Sequence, residues 1–401
     1  MPPALVYVTR RPPWPLDNGA RIRSLRLAQG LAERFELTLV TFADGPKYDE
    51  TAAGRAELEA ALPTARVELV PYGRKPPGGA RRNVLRPASD TFGHYATDTM
   101  KSTLHRLAAE RDDVLFHLDD PGVALAALDL DGAALAYAPH NVEQRILRDI
   151  AARMPPAHRP FMELEWRKVA REERRIWRRA DLCVAVSELD AATIRRGGAR
   201  TVAICPNGSD PHEALPLAEL DPARPLRLLF VGSIRYLPYT HALTWFVREA
   251  LPVVRAAAGQ VSLDVVGDHP DDVARAPGVT YHGRVPDVIP FYERAHALVV
   301  PVFEGSGTRL KVVEAALLGR PIISTALGVE GLPLAAADYL GAEDAPGFAA
   351  AIARLRAELE SGARAVAERC ASARAAVAEL TWPRLADQLA TTYERQMTSV
   401  R

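Results

Sequence analysis

An α/β fold of two doubly wound parallel units in tandem is what this sequence predicts, and three observations predict it. The chain has 401 residues, and at about 100–200 residues per domain two domains are expected. Short apolar, β-rich runs alternate with segments whose apolar residues recur at helical spacing, which is how parallel sheets flanked by helices are written. That alternation occurs twice, separated by Asp210 to Pro225, an acidic stretch with four prolines. We therefore expect an N-terminal domain over 1–206, a linker over 207–225 and a C-terminal domain over 226–382, with a last helix at about 383–401 returning to the first.

The elements follow in order. ALVYVT (Ala4 to Thr9) predicts a strand, a Pro-rich loop carries Asn18-Gly19, and RIRSLRLAQGLAERF (Arg21 to Phe35) predicts a helix. Glu36 to Phe42 predicts the next strand, followed by helix Ala52 to Leu62 and strand Val67 to Pro71. Gly73 to Ala88, rich in Pro, Gly and Arg, reads as a loop. Helix Asp98 to Arg111, strand Val114 to Leu118, helix Gly122 to Leu128 and strand Ala134 to Ala138 then lead into Pro139-His140-Asn141. A long Arg-rich helix is predicted from Pro160 to Ala180, with Trp166, Val169, Ile176 and Trp177 toward one face, then strand Leu182 to Val186 and Ser187 as a helix cap. Ala203 to Ser209 reads as the start of the connector.

The second series places strands at 226–231, 261–266, 279–282, 297–302 and 321–325, with helices at 240–256, 288–294 and 308–318. Pro346 to Arg374 and Trp382 to Gln396 are helical by pattern.

Composition excludes several classes of function. Lys+Arg and Asp+Glu both number 50, so no global field favours nucleic acid. The three cysteines, Cys183, Cys205 and Cys370, have no CxxC spacing, so neither a disulfide framework nor a thiolate zinc site is expected, and a reducing cytoplasm fits. The apolar run before Arg10 is too short for a signal-peptide core, and no apolar stretch reaches the roughly 18 residues that span a bilayer. The helix near 163–179 has a second reading as a membrane-surface element, weakened by Glu163, Glu165, Glu172 and Glu173 among its arginines.

Ligands of open parallel sheets sit beyond the carboxyl ends of strands, so the residues after each strand are the candidates. Gly19 opens a helix whose first amides can meet an anion. His140 follows a strand, beside Asn141 and Glu143. The turn FEGSGTRLKVVE (Phe303 to Glu314) enters a helix with Arg309 and Lys311, one of only five lysines, in its first turns. Backbone amides, a positive helix end and two cations suit a diphosphate. Arg309 and Lys311, two residues apart, cannot share one face of a helix, so one of them is open to a packing or salt-bridge role. Glu314 is placed to accept from ribose hydroxyls. No GxxxxGK[ST] and no GxGxxG after the first strand is present, which argues against a P-loop and a Rossmann oxidoreductase.

The segments HNVE (140–143), ADLCVAVSELDA (180–191), CPNGSD (205–210), VGSIRYLP (231–238), GVTYHGRVPDV (278–288) and PVFEGSGTRLKVVEAALLGRPIISTALGVEGL (301–332) resemble, in order, the signatures of the retaining GT-B glycosyltransferases of family 4 (glycosyltransferase group 1). The resemblance implies GT-B architecture, two Rossmann-like domains facing a cleft, with a UDP-, GDP- or dTDP-sugar donor on the C-terminal domain and an acceptor mainly on the N-terminal one. The expected reaction is transfer to a hydroxyl with retention, without metal or other cofactor.

Carried over by position, His140 and Glu304 are the catalytic candidates. Gly19, Arg235, Gly307, Thr308, Arg309 and Lys311 are implied at the diphosphate. Glu304, Gly305 and Ser306 are implied at the donor sugar, and Gly232, Arg284, Val285 and Glu314 at the ribose and base. Ser306 stands where the family's E-x7-E element has its first glutamate, so the sugar contact is expected to move to Glu304 or to the backbone of Gly305 and Ser306. Only Arg235 remains of a basic pair after Gly232, and Pro238-Tyr239 stands where Pro-Asn is common. Asp129-Leu130-Asp131, the one match to a metal-bridging Asp-x-Asp, precedes a strand and so lies at the wrong end of the sheet. The rival readings are a nucleotide-sugar epimerase on the same fold and a non-catalytic nucleotide-sugar-binding protein. Expected partners are the nucleotide-sugar and a glycan, lipid-linked glycan or small-molecule acceptor, with no nucleic acid. The expected location is the cytoplasm, with the inner membrane surface as the site of any peripheral contact.

Overall fold

The computed structural model of the protein describes residues 2–43, 52–72, 86–305 and 307–399. The chain divides into two compact units, Met1–Pro206 with Trp382–Arg401, and Asn207–Thr381.

Unit 1 runs β1 (Ala4–Thr9), α1 (Gly19–Leu31), β2 (Glu36–Phe42), α2 (Ala52–Ala61), β3 (Arg66–Val70), α3 (Asp98–Glu110), β4 (Val114–Leu118) and α4 (Pro121–Ala126). It continues through β5 (Ala134–Tyr137), α5 (Glu143–Arg153), α6 (Arg159–Arg179), β6 (Leu182–Ala185), α7 (Glu188–Arg196) and β7 (Val202–Ile204). The seven strands form a parallel sheet in the order β3-β2-β1-β4-β5-β6-β7. Every residue of β1 and β4 is buried, as expected of central strands covered on both faces.

Unit 2 comprises β8 (Leu226–Val231), α8 (Leu237–Trp245), α9 (Leu251–Ala258), β9 (Val261–Val266), β10 (Val279–Gly283), α10 (Ile289–Arg294) and β11 (Ala297–Val300). It continues with α11 (Leu310–Leu317), β12 (Ile322–Ser324), β13 (Leu340–Gly341), α12 (Ala345–Glu360) and α13 (Arg364–Ala376). Its parallel sheet has the order β10-β9-β8-β11-β12-β13. In each sheet the order reverses once, between β1 and β4 and between β8 and β11, and ligand crevices form outside the carboxyl ends of strands at such a reversal.

The last helix, α14 (Trp382–Ser399), belongs to unit 1. Gly30 lets it approach α1, because a Cβ there would lie 2.4 Å from that of Ala386. The buried Tyr393 hydroxyl meets His117 Nδ1 at 2.6 Å, and the His117 ring stacks on Tyr7 at 3.9 Å. Arg34 anchors the exposed side through Asp387 and Glu394.

Several elements depart from the expected boundaries. The helix expected over 240–256 is interrupted by a π-helical turn at Phe246–Ala250. Pro252, in the first turn of α9, lacks the N–H that would continue the ladder, and the wider turn accommodates it. Part of the presumed connector pairs as edge strand β7 on β6. Pro346 to Arg374 is two helices, parted where Gly362 (φ 99) and Ala363 (φ 60) take left-handed backbone. α5 and β13 were not expected at all. The loop read over Gly73 to Ala88 lies, as far as residue 85, outside the described residues.

The glutamates of α6 are structural. Glu172 accepts from the Ser89 amide and hydroxyl, Glu165 from those of Thr91, and Glu173 from the amides of Glu143 and Gln144, where it caps α5. Among the described residues no helix is long and apolar enough to cross a membrane.

Candidate active site

In unit 2 the reversal lies between Val231 and Val300. Gly232, next after β8, has φ 148, and a Cβ there would fall 2.7 Å from the Tyr239 ring and 2.8 Å from Lys311 Nζ, so only glycine fits. Beyond β11 the chain turns at Gly305 (φ 105) and Gly307 (φ 80); Ser306 lies outside the described residues. Arg309 is extended (φ −94, ψ 106) and α11 begins only at Leu310.

This start overturns the helical-face argument for Arg309 and Lys311, since only Lys311 is on the helix. Both side chains are buried. Arg309 Nη1 donates to the Gly307 carbonyl at 2.6 Å. The Lys311 ammonium lies 3.5 Å from the centroid of Tyr239 and 4.5 Å from that of Phe230, and Nζ has no hydrogen-bond partner among the described residues. Burial, and then the Arg309 charge, push its pKa well below the ordinary lysine value. Among the described residues an ammonium so placed is stabilised by ring faces. The buried Thr308 instead ties down residue 207, whose amide donates to the Thr308 hydroxyl at 3.1 Å and whose side chain donates to its carbonyl at 2.9 Å.

Glu314 stands one turn after Lys311, hydrogen-bonded to the Tyr292 hydroxyl, and burial raises its carboxyl to about 7. Glu304 Oε1 lies 2.5 Å from His241 Nδ1. Arg235 and Arg284 converge on Oδ2 of Asp268 beyond β9 at 2.8 and 3.4 Å, and both are exposed. Val285 is half-buried in the loop after β10.

In unit 1, Gly19 is the first residue of α1, with Asn18 Oδ1 accepting the Arg21 amide at 3.1 Å, and it has no positive φ, so it is not a left-handed turn. His140 Nε2 lies 3.6 Å from Asp119 Oδ2, which accepts the Ser24 hydroxyl at 2.7 Å. Asp120 caps α4 through the Gly122 amide and pairs with Arg10 at 3.3 Å. Glu143, at the start of α5, is raised to about 7 by burial first and the Asp120 charge second. Asp129 meets His105 and Lys101 ahead of β5, away from this end of the sheet. Among the described residues no group of three or more His, Cys, Asp or Glu side chains is arranged to hold a metal ion.

Sequence reading missed Phe230, Tyr239 and His241 in unit 2 and Arg10, Asp119 and Asp120 in unit 1. Asp119 and Asp120 had a legible signal, because they follow β4 directly, as His140 follows β5. The partners of Lys311 and Glu304 had none, since they are joined only by folding.

Two family models match the chain: residues 17–213 match Glycosyltransferase Family 4, and residues 225–358 match Glycosyl transferases group 1. No curated protein is significantly similar in sequence. Among solved structures, the sucrose-phosphate synthase of Thermosynechococcus elongatus superimposes with a TM-score of 0.71 at 16% identity, over 99% of this chain and 100% of that one. HepE of Anabaena, crystallised with UDP-glucose, gives 0.65 at 15% identity over 98% and 100%. WaaG, a glycosyltransferase of lipopolysaccharide biosynthesis, gives 0.62 at 17% identity over 97% and 99%. At such identities these likenesses speak for the fold, and the two family models speak for the activity. With both units matched in order, the chain belongs to the group 1/family 4 glycosyltransferases, enzymes of GT-B fold that use a nucleotide-sugar donor.

Proposed function

We propose that the protein moves a sugar from a nucleoside-diphosphate sugar to an acceptor hydroxyl with retention of configuration and without a metal. The observation that carries this reading is the pair of buried cations, Arg309 and Lys311, at the start of α11, with the Lys311 ammonium on two ring faces and without a hydrogen-bond partner among the described residues. A diphosphate seated there gains two charge-assisted partners and the positive end of the helix dipole. Glu314, one turn on, accepts from the ribose hydroxyls, and Glu304 from the sugar.

The chemistry follows from where charge develops. As the bond between the anomeric carbon and the phosphate oxygen breaks, negative charge grows on the leaving diphosphate, and fixed cations stabilise it most in a water-poor site. The acceptor oxygen bonds to the anomeric carbon from the same face, and its proton passes to the departing phosphate oxygen. His140, braced by Asp119, positions the sugar, and the start of α1 at Gly19 offers amides to the phosphate. The acceptor is a glycan, lipid-linked glycan or small-molecule hydroxyl, and contact of α6 with a membrane surface would accompany a lipid-linked one.

The test is product analysis of the full chain with UDP-, GDP-, ADP- and dTDP-sugars in the presence of a chelator. The account expects slow release of free sugar without acceptor and, with acceptor, a glycoside of unchanged anomeric configuration. An inverted product, or activity that requires added divalent metal, would overturn it, and an epimerised donor formed without acceptor would assign the fold to epimerase chemistry.

A further inference from the structure

Helix α6 mixes glutamates with arginines in sequence, and folding separates the two. Glu165, Glu172 and Glu173 turn inward, onto the amides and hydroxyls of Thr91 and Ser89 and the amides of Glu143 and Gln144. Arg167, Arg171, Arg174, Arg175 and Arg178 stand on the opposite side, within an arc of about 100° and along about 16 Å of the helix. All five are exposed. Glu163, the remaining glutamate, is taken by Arg167 at 3.0 Å and by the Trp166 indole N–H at 2.9 Å. Arg171 and Arg174 donate to the carbonyls of Pro87 and Ala170, and among the described residues neither they nor Arg175 and Arg178 form a salt bridge. At the start of the helix an open depression is lined by Pro156, Arg159, Pro160, Glu163 and Arg167, and Phe161, next to Pro160, is 44% exposed.

We propose that the outward face of α6 is a docking surface for an anionic phospholipid bilayer. The chain as a whole carries no net charge, so attraction to an anionic surface has to come from local segregation of charge, and α6 provides it. A straight row of cations meets a planar array of phosphates along its whole length, and each arginine near such a surface adds to the binding until salt screens it. The glutamates that weakened this reading in the sequence are withdrawn from the face by their inward partners. An exposed phenyl ring at one end suits the boundary between headgroups and acyl chains. The backbone of a nucleic acid duplex would engage the arginines and leave that ring in water, which favours the bilayer. Docking itself stands on α6 and not on the donor site; what it adds to the proposed transfer, a preference for the lipid-linked class of acceptor, rests on that reading.

The experiment is co-sedimentation of the full chain with vesicles of phosphatidylcholine alone and of phosphatidylcholine mixed with phosphatidylglycerol, at low and at high salt. Wild type is compared with a variant carrying Arg174→Gln, Arg175→Gln and Arg178→Gln together. A control variant carries Arg55→Gln, Arg224→Gln and Arg364→Gln, which removes the same charge from exposed arginines on α2, the connector and α13. Wild type is expected to bind the mixed vesicles, to lose them at high salt and to leave phosphatidylcholine alone. The α6 variant should bind the mixed vesicles on the order of 100-fold more weakly, and the control within about twofold of wild type. Circular dichroism checks that all three are folded, and titration of UDP, GDP, ADP and dTDP should give the same nucleotide affinity in each, so that a failure of docking is told apart from a failure of the donor-site reading. The proposal falls if folded wild type ignores the mixed vesicles at low salt, if the α6 variant binds them as wild type does, or if the control loses as much as the α6 variant. It falls equally if wild type binds an RNA duplex more tightly than the mixed vesicles at the same salt, which would assign the face to nucleic acid.

Discussion

The two sheets reverse strand order in the same way, yet the side chains at their reversals differ in charge: paired carboxylates in one and buried cations in the other. Beyond β1, β4 and β5 the carboxylates take local partners: Asp119 holds His140 and Ser24, and Asp120 holds Arg10 and the amide of Gly122. Beyond β8 and β11 the dominant charges are cations, and Lys311 Nζ, buried on two rings, has no hydrogen-bond partner among the described residues. Topology thus supplies two equivalent places for a ligand, and the residues after each strand decide what each takes. Paired carboxylates orient the groups they hold, whereas a buried cation on ring faces suits an anion.

Burial acts on both places in the same thermodynamic sense and with opposite chemical result. It favours the neutral form, raising the Glu143 carboxyl to about 7 and lowering the Lys311 ammonium well below its ordinary value. A bound diphosphate would restore the charge of Lys311, whereas at Glu143 the Arg10 charge and a hydrogen bond from Asn141 already oppose the effect of burial.

The largest effect that would break this contrast is on nucleotide affinity. Arg309→Ala should weaken binding of the donor nucleotide by about 10- to 100-fold, read by calorimetry, because each charge-assisted bond is worth about 1.5–3 kcal/mol. Glu314→Gln should come next, with affinity reduced by about tenfold, since one hydroxyl acceptor is exchanged for a mixed donor and acceptor. His140→Ala should reverse the pattern, leaving nucleotide affinity within about twofold while lowering kcat by roughly tenfold or more. If its loss appeared in affinity instead, the division of labour between the two places would be wrong.

The smallest effect concerns stability. Glu143 binds its proton more tightly folded than unfolded, so its contribution is complete below its ordinary value near 4.5 and is lost as pH rises through about 7. Glu143→Gln removes that loss. Its melting temperature relative to wild type should rise between pH 5 and pH 8, by about 2–4 °C for each kcal/mol recovered, and a difference constant with pH would show that the Glu143 carboxyl does not titrate in that window.

Much of the fold was legible because buried parallel strands are short apolar runs and their helices carry a clear period. β1, β2, β4, β8 and β9 occupy the predicted residues for that reason. α5 was not legible, because its sequence EQRILRDIAAR buries only Ile146 and Ala151 and owes its first turn to Glu173, thirty residues on. The turn at 303–314 was legible in composition and not in conformation. One extended residue at Arg309 moves the helix start to Leu310 and takes Arg309 off the helix that carries Lys311, so helical spacing no longer sets the two cations apart. Tyr239 was visible in the sequence only as a departure from a familiar Pro-Asn, and it is the ring beneath the Lys311 ammonium.

The most direct test of the central claim is a calorimetric titration of UDP, GDP, ADP and dTDP into the full chain in the presence of a chelator, repeated with Arg309→Ala. The account predicts saturable one-site binding of one nucleotide to wild type and its loss in the variant while the fold, followed by circular dichroism, is intact. A folded wild type that binds none of the four, or a variant that binds as tightly as wild type, would contradict the assignment of the donor to the 304–311 turn.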